Sequence, residues 1–226
     1  MKNNRVKYGI TDLSIINMIG ALWYIPIFTV IYLGIFLIFG SEELDNLAYL
    51  SVGLNANRIF MLVMGIIIGG GFIKWAIGLG VTRRQFHKAN LFSGALMSVA
   101  LTITMAILGL LIGLLPFVGT ENIQQNLDMH PILNLIILTL QVYLAYLAGT
   151  LIGVGFYRSG WFGALAILVT MAGNFLYEIM ANFISDLAFL MSDLGTGAGM
   201  LLTVVVFIGV LIILNHYFIK DIVIKI

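Results

Sequence analysis

Apolar runs long enough to cross a bilayer recur along this chain, separated by short polar segments. A helix gains ~1.5 Å per residue and the hydrocarbon core is about 30 Å thick, so about 20 apolar residues make one span. The expectation is an all-α, polytopic membrane protein with six transmembrane helices. Composition agrees: 61% of the residues are hydrophobic and 9% are charged, where soluble domains carry roughly 25% charge. With 226 residues, the chain reads as one transmembrane domain, 1–226, with no room for a soluble one. There are no cysteines, which excludes disulfides, thiolate metal sites and Cys nucleophiles.

The first apolar run, Leu13 to Phe39, would make about 40 Å of helix, too long for one untilted span. Gly20 and Pro26 offer break points, and Trp23 with Tyr24 looks like an interfacial aromatic pair. The expected division is an interfacial elbow helix, about Thr11 to Met18, and a first span over 21–39. One long tilted helix is the alternative. No small-residue cleavage site follows this run, so it reads as a retained signal anchor.

The second span is expected over 58–77, with Gly65 and Gly69 as a small-xxx-small packing pair and Gly69–Gly71 as packing or a hinge. The third covers 91–118, with a small ridge of Gly94, Ser98, Thr102 and Ala106, then Gly109 and Gly113. The fourth covers 131–155, opening on a proline. The fifth covers 161–183 and the sixth 200–214. Between these two, Ile184 to Gly199 is too apolar for a solvated loop and too short to span, which suits short re-entrant helices.

Charge placement sets the expected orientation. With both termini in the cytoplasm, Lys2, Arg5, Lys7, Lys74, Arg83, Arg84, Lys88, Arg158, Lys220 and Lys225 lie inside, and only Arg58 of the 11 basic residues lies outside. Of the ten acids, only Asp12 and Asp221 lie inside. The positive-inside rule therefore predicts a multi-pass protein of the cell membrane with cytoplasmic ends.

Catalytic signatures are missing. No G-x-x-x-x-G-K-[ST] or H-E-x-x-H occurs. His87, His130 and His216 fall in different regions and on different sides, so no metal site is expected. A membrane enzyme needs ionisable groups at depth, and this chain has few, so it does not read as an enzyme. Polar groups at depth are few. Asn174, Glu178, Asn182 and Asp186 recur every four residues on the outer half of the fifth span. A carboxylate at the bilayer centre costs about 2.5–3.5 kcal/mol on insertion scales, less near the interface. This face should meet protein or a water-filled path, either as a substrate route or as a polar helix contact. Asn134 and Gln141, two turns apart, could face the same cavity.

The densest positive charge lies between the second and third spans, in Gly80-Val81-Thr82-Arg83-Arg84-Gln85-Phe86-His87-Lys88. Orientation alone would account for Arg83, Arg84 and Lys88. Gly80 should break the preceding helix, and Thr82 fits an N-cap. Phe86 reads as an exposed aromatic offered to a partner, on a short helix along the membrane surface.

The segment from Gly80 to Phe86 resembles the one between the second and third spans of type-2 ABC exporter permeases of Gram-positive bacteria. There a G-[VS]-[ST]-R-x-x-F segment forms the coupling helix that docks on the ATPase. The elbow helix, six spans and re-entrant helices are similar in layout. The resemblance covers the whole chain in layout and about seven residues in motif. It implies that Thr82, Arg83, Arg84, Phe86 and Lys88 contact a cytoplasmic ABC ATPase, which carries the ATP and Mg. It also implies a second permease subunit, the same or homologous, in the lipid bilayer. No bound cofactor and no nucleic acid are expected. The small size resembles permeases that export antimicrobial peptides, peptide toxins or drugs. Two other readings stand beside it. One is a membrane immunity or sensor protein that needs no ATPase. The other is the substrate-binding membrane subunit of a vitamin importer, which should show more convergent polar side chains than this chain offers.

Overall fold

The computed structural model describes residues 2–39, 49–113, 131–189 and 193–220. Among them the chain is helical with no strand. In order come α1 (Lys2–Phe39), α2 (Tyr49–Ile67), a π-helical turn (Ile68–Phe72), α3 (Ile73–Gly78), α4 (Arg83–Gly113), α5 (Pro131–Arg158), α6 (Gly160–Phe189) and α7 (Asp193–Lys220). Among the described residues, five helical stretches are long and apolar enough to cross a membrane: Leu13–Ile35, Val52–Gly78, Arg83–Ile112, Ile132–Arg158 and Gly199–Lys220. In α6 the described apolar stretch, Gly160–Gly173, is shorter.

α1 is continuous, and no elbow separates from it. Gly20 is a point of close approach instead of a break. A Cβ there would lie 3.2 Å from Met64 Cε. Pro26 sits inside the helix, where it removes one backbone donor; membrane helices tolerate this when neighbours compensate. Tyr24 falls near the middle of the apolar window and stacks on Phe60 at 4.2 Å between ring centroids. Trp23 and Tyr24 are therefore not a terminal pair. A ladder of rings continues down α1, with Tyr32 edge-on to Tyr49 at 4.9 Å. Thr29 and Tyr49 share a 3.0 Å hydrogen bond.

α5 is the central helix, packed on α2, α4, α6 and α7. Its seam with α2 is closed by two reciprocal glycine pairs. A Cβ on Gly65 would strike the Tyr146 carbonyl, and one on Gly69 would lie 2.6 Å from the Thr150 carbonyl. From the other side, Gly149 meets the Leu62 carbonyl and Gly153 the Ile66 carbonyl. Such small-xxx-small seams let membrane helices gain dispersion contacts that lipid would otherwise supply. The Gly69–Gly71 run forms the π turn. Gly69 serves packing, whereas a Cβ on Gly71 would meet nothing within 4 Å.

The expected ridge on the third span is present. Ser98 and Thr102 are fully buried, and each hydroxyl donates to the carbonyl four residues back, at 2.8 and 2.9 Å. Gly94 leaves room for the ring of Tyr146. Polar clips add direction in the same half of the bundle. Tyr146 Oη donates to Asn90 Oδ1 at 2.5 Å, and Asn17 Nδ2 donates to Ser93 Oγ at 2.8 Å. Asn215 Nδ2 donates to the carbonyls of Leu147 and Leu211, each at 3.0 Å, while its Oδ1 accepts from Thr150 at 3.1 Å. Burying these groups unpaired would cost about 1–3 kcal/mol each, so they fix how α1, α4, α5 and α7 meet.

The expected re-entrant stretch is divided between two long helices. Residues up to Phe189 continue α6 and those from Asp193 open α7; residues 190–192 lie outside the described residues, as do the side chains of most of this stretch. The end of the third span beyond Gly113 also lies outside them.

Candidate functional site: the basic turn between α3 and α4

Two helix signals meet within six residues. α3 ends in a Schellman motif: Gly80 N donates to Ile77 O at 2.9 Å and Val81 N to Ala76 O at 3.1 Å. Gly80 has φ 80°, the left-handed conformation that glycine adopts without penalty. α4 then opens in a capping box. Thr82 Oγ1 accepts from Gln85 N at 3.3 Å, and Gln85 Oε1 accepts from Thr82 N at 3.0 Å. Reciprocal bonds of this kind satisfy two otherwise orphaned donors. Val81 and Phe86 occupy the flanking staple positions and belong to one apolar cluster.

Phe86 is 1% exposed, which overturns its reading as an aromatic offered to a partner. It lies in the first turns of α4, and α4 runs unbroken from Arg83 into the apolar stretch. No separate surface helix forms because the capping box launches the long helix directly. Arg83 is engaged as well: its Nη1 donates to the main-chain carbonyl of Lys220 at 2.9 Å. Arg84 and Lys88, four residues apart on one face, are exposed, as are Thr82 and Lys74.

His87 is buried and lies 5.3 Å, ring to ring, from His216 on α7. The sequence placed these two histidines in separate regions, and the fold brings them together. His130 lies outside the described residues. Among the described residues no three His, Asp or Glu side chains gather as a metal site.

Of the deep polar candidates, the side chains of Gln141 and Asn134 are described. Gln141 is half-buried and its Oε1 accepts from Arg58 Nη2, a bond that ties α5 to α2. Arg58 Nη1 also reaches Asn55 Oδ1 at 3.4 Å. Gln141 thus pairs with a cation from the facing helix, and Asn134 is one of the half-buried residues near the start of α5. Asn57, one residue before Arg58, is fully buried and makes no side-chain hydrogen bond among the described residues. Sequence reading passed over it because an Asn beside an Arg looks like the end of a span. The side chains of Asn174, Glu178 and Asn182 lie outside the described residues, although the backbone of α6 is helical through them.

A shallow apolar groove of about 370 Å³ runs between α1 and α4, around Leu22, Pro26, Met97 and Leu101. The sequence matches no family model, and neither curated proteins nor solved structures give a significant match.

Proposed function

We propose that this chain is the membrane-spanning subunit of an ATP-driven exporter, with α6 as a sixth span and both termini in the cytoplasm. The observation that carries this reading is the basic turn. It is short, capped at both ends and tied by Arg83 to the end of α7. A push on such a turn passes into three helices at once, because no slack loop absorbs it. Arg84 and Lys88, with Lys74 one turn before, are its exposed cations. They suit charge-assisted bonds to carboxylates on a cytoplasmic ABC ATPase, which would hold the ATP and Mg. The apolar groove beside Pro26 suits an amphipathic or hydrophobic cargo, such as a peptide or drug, and a second copy or homologue would complete the path.

The test is Arg84→Glu with Lys88→Glu in the tagged chain, purified from its native membrane in mild detergent. Loss of a co-purifying P-loop ATPase, with unchanged membrane insertion, is expected. Undiminished ATPase recovery by the double variant would remove the coupling role. Recovery of the wild-type chain with no ATPase, where a known ABC complex survives, would favour an immunity or sensor protein.

A further inference from the structure

The end of α7 and the start of α4 enclose a cleft of about 310 Å³, lined by Arg83, Arg84, His87, His216, Ile219 and Lys220. Three of the six are basic side chains and two are imidazoles, and among the described residues no carboxylate lines it. His87 is 6% exposed and its Nδ1 has no hydrogen-bond partner among the described residues. A buried polar nitrogen without a partner is costly unless a ligand completes it. The carbonyl of Lys220 is already answered by Arg83.

The apolar stretch Arg83–Ile112 starts at the cleft, and the described part of α7, Gly199–Lys220, reaches it. Ile219 adds an apolar wall. Trp75 and Tyr217, 45% and 61% exposed, are close in sequence to its rim, and such rings gather at headgroup depth. Basic pockets between membrane helices on the cytoplasmic side suit phosphate headgroups. We propose that this cleft binds the phosphate headgroup of an anionic membrane lipid, with Arg83, Arg84 and Lys220 as charge donors and the two histidines as hydrogen-bonding groups.

This proposal takes the cytoplasmic side from the reading above and shares Arg84 with it, but needs no ATPase, and its test uses the chain alone. The protein is reconstituted in nanodiscs of phosphatidylglycerol and phosphatidylcholine in equal parts, and the lipids it retains are counted by native mass spectrometry. Selective retention of phosphatidylglycerol is expected. His216→Gln with Lys220→Gln should lower it by roughly fivefold, while the Lys220 carbonyl stays in place for Arg83. Lys74→Gln, outside the cleft, should leave retention unchanged, and Lys220→Arg should preserve it. Equal retention of both lipids, or retention unaltered in the cleft variant but lowered in Lys74→Gln, would overturn the proposal. Displacement of the retained lipid by inorganic phosphate at low millimolar levels would also overturn it, and would assign the cleft to a soluble phosphate instead. A cleft variant that elutes as aggregate is replaced by Arg84→Gln, read against the same two outcomes.

Discussion

The guanidinium of Arg83 and the main-chain carbonyl of Lys220 meet at 2.9 Å across 137 positions of sequence. One side chain thereby caps the last described turn of α7 from the first turn of α4. Net hydrogen bonds to charged groups contribute about 1.5–3 kcal/mol when sheltered and less when exposed, as here. Arg83→Ala should therefore cost global stability little, under about 1 kcal/mol, and loosen the end of α7. Faster amide hydrogen exchange over residues 216–220, with the centre of α5 unchanged, is the expected signature. Unchanged exchange there would show that the bond holds nothing.

The turn before α4 should be sensitive at two positions. Thr82→Ala removes the cap and should cost about 1 kcal/mol. Gly80→Ala places a Cβ in a left-handed conformation, at roughly 1–2 kcal/mol. Both losses should appear as a lower melting temperature in detergent. Thr82→Ser, which keeps the acceptor, should restore the wild-type value.

Phe86 separates packing from docking. A buried Phe replaced by Ala costs about 3–5 kcal/mol, so Phe86→Ala should reduce the yield of folded protein. Phe86→Leu should recover most of it. If Phe86→Ala melts like wild type, the ring is not part of the core.

The seam between α2 and α5 predicts a contrast among glycines. Gly149→Ala drives a methyl against the Leu62 carbonyl, and overpacking of this kind costs typically about 1–3 kcal/mol. A Cβ on Gly71 meets nothing within 4 Å, so Gly71→Ala should be neutral or slightly stabilising. Melting curves of the two variants side by side check both signs.

Tyr146→Phe removes the donor to Asn90 Oδ1 while keeping the ring that fills the space at Gly94. A buried acceptor left alone costs about 1–3 kcal/mol. Tyr146→Phe combined with Asn90→Leu should cost less than the sum of the two single changes, because the orphaned acceptor is gone. Strict additivity would show that the two side chains do not interact.

The helices and their packing seams were largely legible in sequence. Gly65 and Gly69 announced a close approach by spacing alone, and Gly94, Ser98 and Thr102 announced a buried ridge. What spacing could not supply was the partner: Gly149 and Gly153 answer them from 80 or more positions away, a relation only the fold contains. Gly20 and Pro26 misled because, in water, such residues end helices. Here neighbouring helices and apolar surroundings favour continuation. The basic turn was read correctly at Gly80 and Thr82, whose roles are local. Phe86 was misread because its surroundings in sequence are charged while its surroundings in space are α3, α4 and their neighbours. Gln85 was passed over, although a Thr followed three residues later by Gln is itself a capping signal. The meeting of His87 with His216 and the bond from Arg83 to Lys220 depend on tertiary placement and left no trace in sequence.

The π turn at Ile68–Phe72 has a consequence for how the chain tolerates change in length. A π turn holds one residue more than an α turn over a similar rise. It is an insertion already accommodated, with α2 and α3 in phase on either side: Met61 and Met64 before it are buried, as are Ile73 and Ala76 after it. Removing one residue there, such as Gly71, would leave a regular helix with both buried faces still turned inward. The same deletion one turn earlier in α2 would rotate everything beyond it by about 100°, swinging Lys74 toward the protein and Ile73 toward its surface. Among the described helices, this turn is where the bundle can shorten by one residue without changing which side of the helix it shows to its neighbours.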